Sequence, residues 1–115
     1  MNYLTAKEAL KNISTLKPNW NYNDAPAFSK ELINKCEEIL DNLPFEPFVC
    51  PTAIGSVQFE YEDKNEDKYL EFDIYEDKAE VFKIDNGKQK EFTIEGDIIN
   101  QMVGLVNEFY DKKAR

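Results

Sequence analysis

Apolar positions along the chain change period partway. Between Thr5 and Leu16, Ala6, Ala9, Leu10, Ile13 and Leu16 recur at helical spacing. Thr5 followed by Glu8 makes a capping box: the hydroxyl takes an orphan amide and the carboxylate reaches back. Lys17-Pro18 ends this segment, because the residue before proline avoids the α region. A second helix is predicted from about Ser29 to Asn42. There Leu32, Ile33, Cys36, Ile39 and Leu40 share one face, while Lys30, Glu31, Lys35, Glu37, Glu38 and Asp41 take the other. Leu43-Pro44 stops it, and Pro44, Pro47 and Pro51 are read as fixing an extended connector.

From Ser56 onward the period is two. Val57, Phe59 and Tyr61 alternate with Gln58, Glu60 and Glu62; Leu70, Phe72 and Ile74 alternate with Tyr69, Glu71, Asp73 and Tyr75. Such runs predict an antiparallel hairpin with one face buried. A third strand is expected over about Ala79–Asp85 and a fourth over about Gln89–Ile94, joined through Asn86-Gly87, a strong hairpin signal. Two registers compete. A two-residue loop pairs Phe82 with Glu91. A three-residue loop, Asp85-Asn86-Gly87 with a bulge, pairs Phe82 with Lys90; it is preferred because it keeps Phe82, Ile84, Phe92 and Ile94 on one face. The last helix spans about Asp97–Lys112, with Asp97 as N-cap and Lys112, Lys113 and Arg115 at the negative end of its dipole. Its apolar face is broad, and Gly104 inside it suggests close backbone packing. The order is ααββββα: an α+β fold, a four-stranded antiparallel meander with helices on one face, in a single domain over residues 1–115. Leu70, Phe72, Ile74, Phe92, Ile94, Val103, Val106 and Phe109 are the expected core.

Residues 17–28 are read as a loop rich in turn formers, yet they carry the only tryptophan, with Tyr22 and Phe28. Trp20 is expected to fold back onto the second helix or the connector; the sharper alternative is an anchor for a partner.

Composition narrows the chemistry. The 115 residues contain no histidine, which removes imidazole bases, Ser-His and Cys-His nucleophile pairs and His-containing zinc sites. Cys36 and Cys50 form neither a Cys-x-x-Cys pair nor a disulfide framework, which fits a reducing cytosol; Cys36 reads as a core residue. No apolar run approaches the ~20 residues of a membrane span, and the polar, amphipathic N-terminus from Met1 to Lys11 predicts no secretory signal. A net charge of −9 argues against direct binding of nucleic acid. The scattered glycines build no phosphate loop. Asp63, Asn65 and Asp67 match the first ligand positions of an EF-hand loop, but Lys68 stands where its glycine is needed and Ile74 where its bidentate glutamate is needed, so no metal is expected. No cofactor is expected either.

Two stretches resemble an uncharacterised family of small bacterial proteins. Trp20-Asn21-Tyr22-Asn23-Asp24-Ala25-Pro26 is similar to that family's Trp-Asp-x-Tyr-x-Ala-x-Pro loop. Pro51-Thr52-Ala53-Ile54-Gly55-Ser56-Val57-Gln58-Phe59-Glu60-Tyr61 is similar to its Pro-Thr-x-x-Gly-x-Val-Gln-Leu-Glu-Trp strand, and Leu70-Glu71 to its next strand. The resemblance covers about residues 5–75 and implies the fold, with no site residue or activity.

Charge placement is the most informative feature. Between Glu60 and Glu80 stand ten acids against three lysines. Alternation is expected to turn Glu60, Glu62, Glu71 and Asp73 away from the core on adjacent strands, beside Tyr69 and Tyr75. With Trp20, these are the candidate partner-binding residues. The expected function is a non-enzymatic, acidic, cytoplasmic protein-binding module, an inhibitor of a basic nucleic-acid-handling protein of the antitoxin, immunity or anti-defence type. The alternatives are a ligand-binding domain or enzyme with a pocket under the Trp20 loop, or an oligomeric scaffold.

Overall fold

A computed structural model describes residues 4–111. The cations Lys112, Lys113 and Arg115, and the first residues of the amphipathic N-terminus, lie outside the described residues. The elements are α1 (Ala6–Ser14), α2 (Lys30–Asn42), β1 (Phe48–Pro51), β2 (Val57–Asp63), β3 (Lys68–Ile74), β4 (Ala79–Asp85), β5 (Lys88–Ile94) and α3 (Ile98–Tyr110). The sheet is an antiparallel meander in the order β1-β2-β3-β4-β5.

The fold is α+β, but its sheet has five strands rather than the four expected, in the order ααβββββα. The added strand is β1, inside the stretch that its prolines made look like a connector. Pro51 is tolerated because β1 is an edge strand, where a missing N–H removes no ladder bond on the open side. Val49 at its centre is buried opposite Phe59.

Both first helices start where their caps dictate. Thr5 and Glu8 form the reciprocal capping box, and Ser29 accepts from the Leu32 amide at 3.1 Å. Asp97 occupies the N-cap of α3 without capping it; its carboxylate accepts instead from the Asn100 side chain at 2.7 Å. One apolar cluster joins all three helices to one face of the sheet, from Leu10 and Ile13 through Ile39 and Cys36 to Phe59, Phe72, Val81, Met102 and Val106. Lys35 clamps α2 to the turn after β3, donating to the carbonyls of Tyr75 at 2.7 Å and Glu76 at 3.0 Å. Of the expected core, Leu70, Phe72, Ile74, Ile94 and Val106 are buried, whereas Phe92, Val103 and Phe109 are half-buried. Phe92 lies on edge strand β5, most of whose residues are exposed.

The β4–β5 turn corrects the preferred register. Phe82 pairs with Glu91 and Asp85 with Lys88, leaving a two-residue Asn86-Gly87 loop. Asn86 at φ 56° and Gly87 at φ 77° take the left-handed conformations that a type I′ turn requires at both central positions. This turn matches the twist of the flanking strands, and it places Phe82 and Ile84 on the face away from the helices.

Two stability measurements check this packing. Phe72 is fully buried in the middle strand, so Phe72→Ala should cost ~3–5 kcal/mol in chemical denaturation. An unchanged midpoint would contradict the core. Gly104 is exposed and a Cβ added there meets nothing, so it serves no close approach. Gly104→Ala should therefore stabilise the protein by ~0.5–1 kcal/mol through helix propensity, and a loss of stability would show that the site is crowded.

Candidate functional site

Strand pairing sorts the side chains of the sheet into two chemically different faces. On the face away from the helices, one cross-strand row reads Phe48, Glu60, Glu71, Phe82, Glu91. The next reads Cys50, Gln58, Asp73, Glu80, Thr93. A third brings Glu62 opposite Tyr69, with Ile84 and Gln89 beyond. The lysines within the strands, Lys68, Lys83, Lys88 and Lys90, all alternate to the other face. There Lys68 donates to the Phe109 carbonyl and Lys83 pairs with Glu108, both at 3.1 Å, at the C-terminal end of α3. The outer face therefore carries Glu60, Glu62, Glu71, Asp73, Glu80 and Glu91 with no strand lysine among them.

Like charges directly opposite each other are unfavourable, and Glu60–Glu71 and Asp73–Glu80 are two such pairs. Local donors relieve part of this. The Tyr69 hydroxyl donates to Glu71 Oε1 at 2.7 Å, and the Gln58 amide donates to Glu60. Lys78, in the turn before β4, lies 3.6 Å from Glu80. Asp73 receives none of this relief. Its Oδ1 is buried and has no donor among the described residues. Burial first, then the neighbouring Glu71, Glu80 and Glu60, push its carboxyl up to about 7 from an ordinary 3.8. Burial likewise raises the Tyr69 hydroxyl, reinforced by Glu71 and Glu60. The Cys50 thiol is pushed up to about 11 by burial and then by Glu60, Glu71 and Asp73, which keeps it protonated and unreactive. Cys36, buried in the core, rises to about 12 by burial.

The expected site residues separate into three groups. Glu60, Glu62, Tyr69, Glu71 and Asp73 share the outer face, though only Glu62 is fully exposed and the other four are half-buried. Tyr75 stands just past the end of β3, which closes at Ile74. Its amide donates to the Lys78 carbonyl in the following turn, and the Lys78 ammonium sits 5.3 Å from its ring centre. Trp20 lies in the loop before α2, and its indole N–H donates to the Pro26 carbonyl at 2.9 Å. Its ring meets Phe28, which packs against the core. The Asn19 and Asn21 side chains accept from the amides of Asp24, Asn23 and Ala25, and hold Asn19, Tyr22 and Asp24 at positive φ. Tyr22 stands 93% exposed at the tip. A Cβ on Gly55, at φ 94°, would meet Pro26 at 3.3 Å, so the two stretches that carry the family resemblance touch here.

Glu80, Glu91 and Phe82 were not among the expected site residues. Their signal was the alternation of β4 and β5, hidden by the register that placed Phe82 in the core. Phe82 instead meets Tyr69 edge-on, ring centres 6.0 Å apart. Together these residues border a groove of about 580 Å³, lined by Glu71, Asp73, Glu80, Glu91, Phe82 and Thr93 among others. A separate cavity of about 410 Å³ lies by α3, between Leu70, Lys83, Leu105 and Phe109. In the 63–67 turn, Asp63 accepts from the amides of Asn65 and Glu66 at 3.1 and 3.2 Å, a turn-closing role. No described helix is long and apolar enough to cross a membrane. Comparison with family models, curated proteins and solved structures returns no match to this chain.

The electrostatics of Asp73 set a pH dependence. Because its folded-state pKa is raised, the native protein holds a proton that the unfolded chain releases. Its contribution to stability is fully present below the ordinary value of 3.8 and is lost as pH rises toward about 7. Asp73→Asn removes that loss. The melting temperature of the variant, relative to the parent, should rise from pH 4 to pH 8; a difference independent of pH would contradict the strained carboxyl.

Proposed function

We propose that the outer sheet face is a docking surface for a basic protein, and that this cytoplasmic module works by binding rather than by catalysis. One observation carries the reading: pairing turns Glu60, Glu62, Glu71, Asp73, Glu80 and Glu91 to one face and every strand lysine to the other. Such a surface attracts cations over a Debye length, ~8 Å at physiological salt, and so speeds encounter. Tyr69 and Phe82, packed edge-on amid the carboxylates, and Phe48, 65% exposed at the edge of the sheet, supply the contact area that charge alone lacks. Proteins that grip phosphates are basic at their working surface, so an inhibitor of a nucleic-acid-handling protein, of antitoxin, immunity or anti-defence type, is the partner relation that this chemistry fits.

Glu62 and Glu80 are exposed on this face, so reversing both should leave the fold intact. Glu62→Lys with Glu80→Lys should retain the parent melting temperature within a few degrees. In side-by-side capture of host proteins, recovery of basic partners should fall about tenfold, and added salt should weaken the parent's binding. Equal recovery of the same partners by both proteins would remove this face from the mechanism.

A further inference from the structure

Asp73 sits at the centre of the outer face, and its surroundings are one-sided. Opposite it on β2 is Gln58, whose amide is committed to Glu60; beyond Gln58 on β1 is the protonated thiol of Cys50. Opposite it on β4 is Glu80, with Thr93 beyond on β5 and Glu91 in the neighbouring row. Along its own strand comes Glu71, whose one described donor is Tyr69. The cation near this group, Lys78, pairs with Glu80.

Asp73 and Glu71 stand two residues apart on β3 and so lie side by side on the outer face. Ionised carboxylates only accept, so two of them have nothing to exchange. A proton changes this: one carboxyl becomes a donor, the pair gains a hydrogen bond, and one charge leaves a partly desolvated cluster. The buried Oδ1 of Asp73, with no donor among the described residues, makes the fully ionised cluster costly.

We propose that Asp73 and Glu71 hold one proton between them at neutral pH, and that a cation seated on the outer face displaces it, so that docking is coupled to proton release. The second half rests on the docking reading above; the first stands without it. The balance is simple. A proton leaves the shared carboxyl pair for solvent, the pair gains one negative charge, and the docked cation neutralises that charge. Linkage then works in both directions. The cation lowers the pair's proton affinity, and rising pH strengthens cation binding by up to tenfold per unit below the pair's midpoint.

The test has two arms. In the free protein, carbon-detected NMR titration of the side-chain carboxyls should show Asp73 or Glu71 changing above pH 6, with a step felt at both residues. If every outer-face carboxyl titrates below pH 5, the shared proton is refuted, whatever the face binds. In the second arm, hexalysine serves as the cationic probe, titrated calorimetrically at pH 6 and pH 8 in buffers of different ionisation enthalpy. Binding should tighten about five- to tenfold toward pH 8, beyond the change seen with Asp73→Asn, and should release a fraction of a proton at pH 7. Glu71→Gln provides the same comparison if Asp73→Asn does not fold. Equal affinity and no proton release at the two pH values would overturn the coupling. Failure of hexalysine to bind at pH 8 would overturn it too and would count against the docking face, while the first arm would still judge the proton.

Discussion

A central row of apolar side chains, Val49, Phe59, Phe72, Val81 and Phe92, crosses all five strands by direct pairing. Its first four members are buried, and the helices pack over them. Side chains in a strand alternate with period two, so a slip of one residue anywhere in the row would send core residues into water and carboxylates into the core. The register is therefore fixed from the inside. Everything on the outside follows from it, including contacts that are unfavourable in themselves: Glu60 opposite Glu71 and Asp73 opposite Glu80.

Those contacts give the molecule its electrostatic character. A stable core can carry a face of repelling carboxylates because single pairs cost only ~1 kcal/mol or less, and Tyr69, Gln58 and Lys78 offset part of that. The lysines are drawn to the opposite side, where two are held by the C-terminal end of α3. The residual strain collects at Asp73, whose buried Oδ1 has no donor among the described residues and whose neighbours Glu71, Glu80 and Glu60 are acidic. The acidic outer face and the strained carboxyl within it are two consequences of one register.

Sequence patterning showed the helices well, because their caps and apolar stripes are local: Thr5 with Glu8, Ser29 before Lys30, and the periodic faces of α1 and α2. The alternation of β2 and β3 showed which of Glu60, Glu62, Tyr69, Glu71 and Asp73 share a face. β1 was hidden, because prolines at either end of Val49-Cys50 argue against a strand unless it is known to lie at an edge. The β4–β5 register was hidden because Phe82 and Ile84 are apolar residues on an outward face; only their contact surroundings, such as Tyr69 beside Phe82, explain them. Tyr75 falls just past the end of β3, a boundary that alternation does not mark. The state of Asp73 could not be read from the chain, since it depends on side chains brought beside it from two other strands.

Register is thus the claim on which fold and site both depend. The most direct measurement is the set of cross-strand nuclear Overhauser contacts in the backbone NMR spectrum. The account expects Phe72 to face Phe59 and Val81, and Phe82 to face Glu91 across a two-residue Asn86-Gly87 turn. Contacts pairing Phe82 with Lys90 instead would bring Lys90 onto the outer face, take Glu91 out of the carboxylate rows, and contradict it.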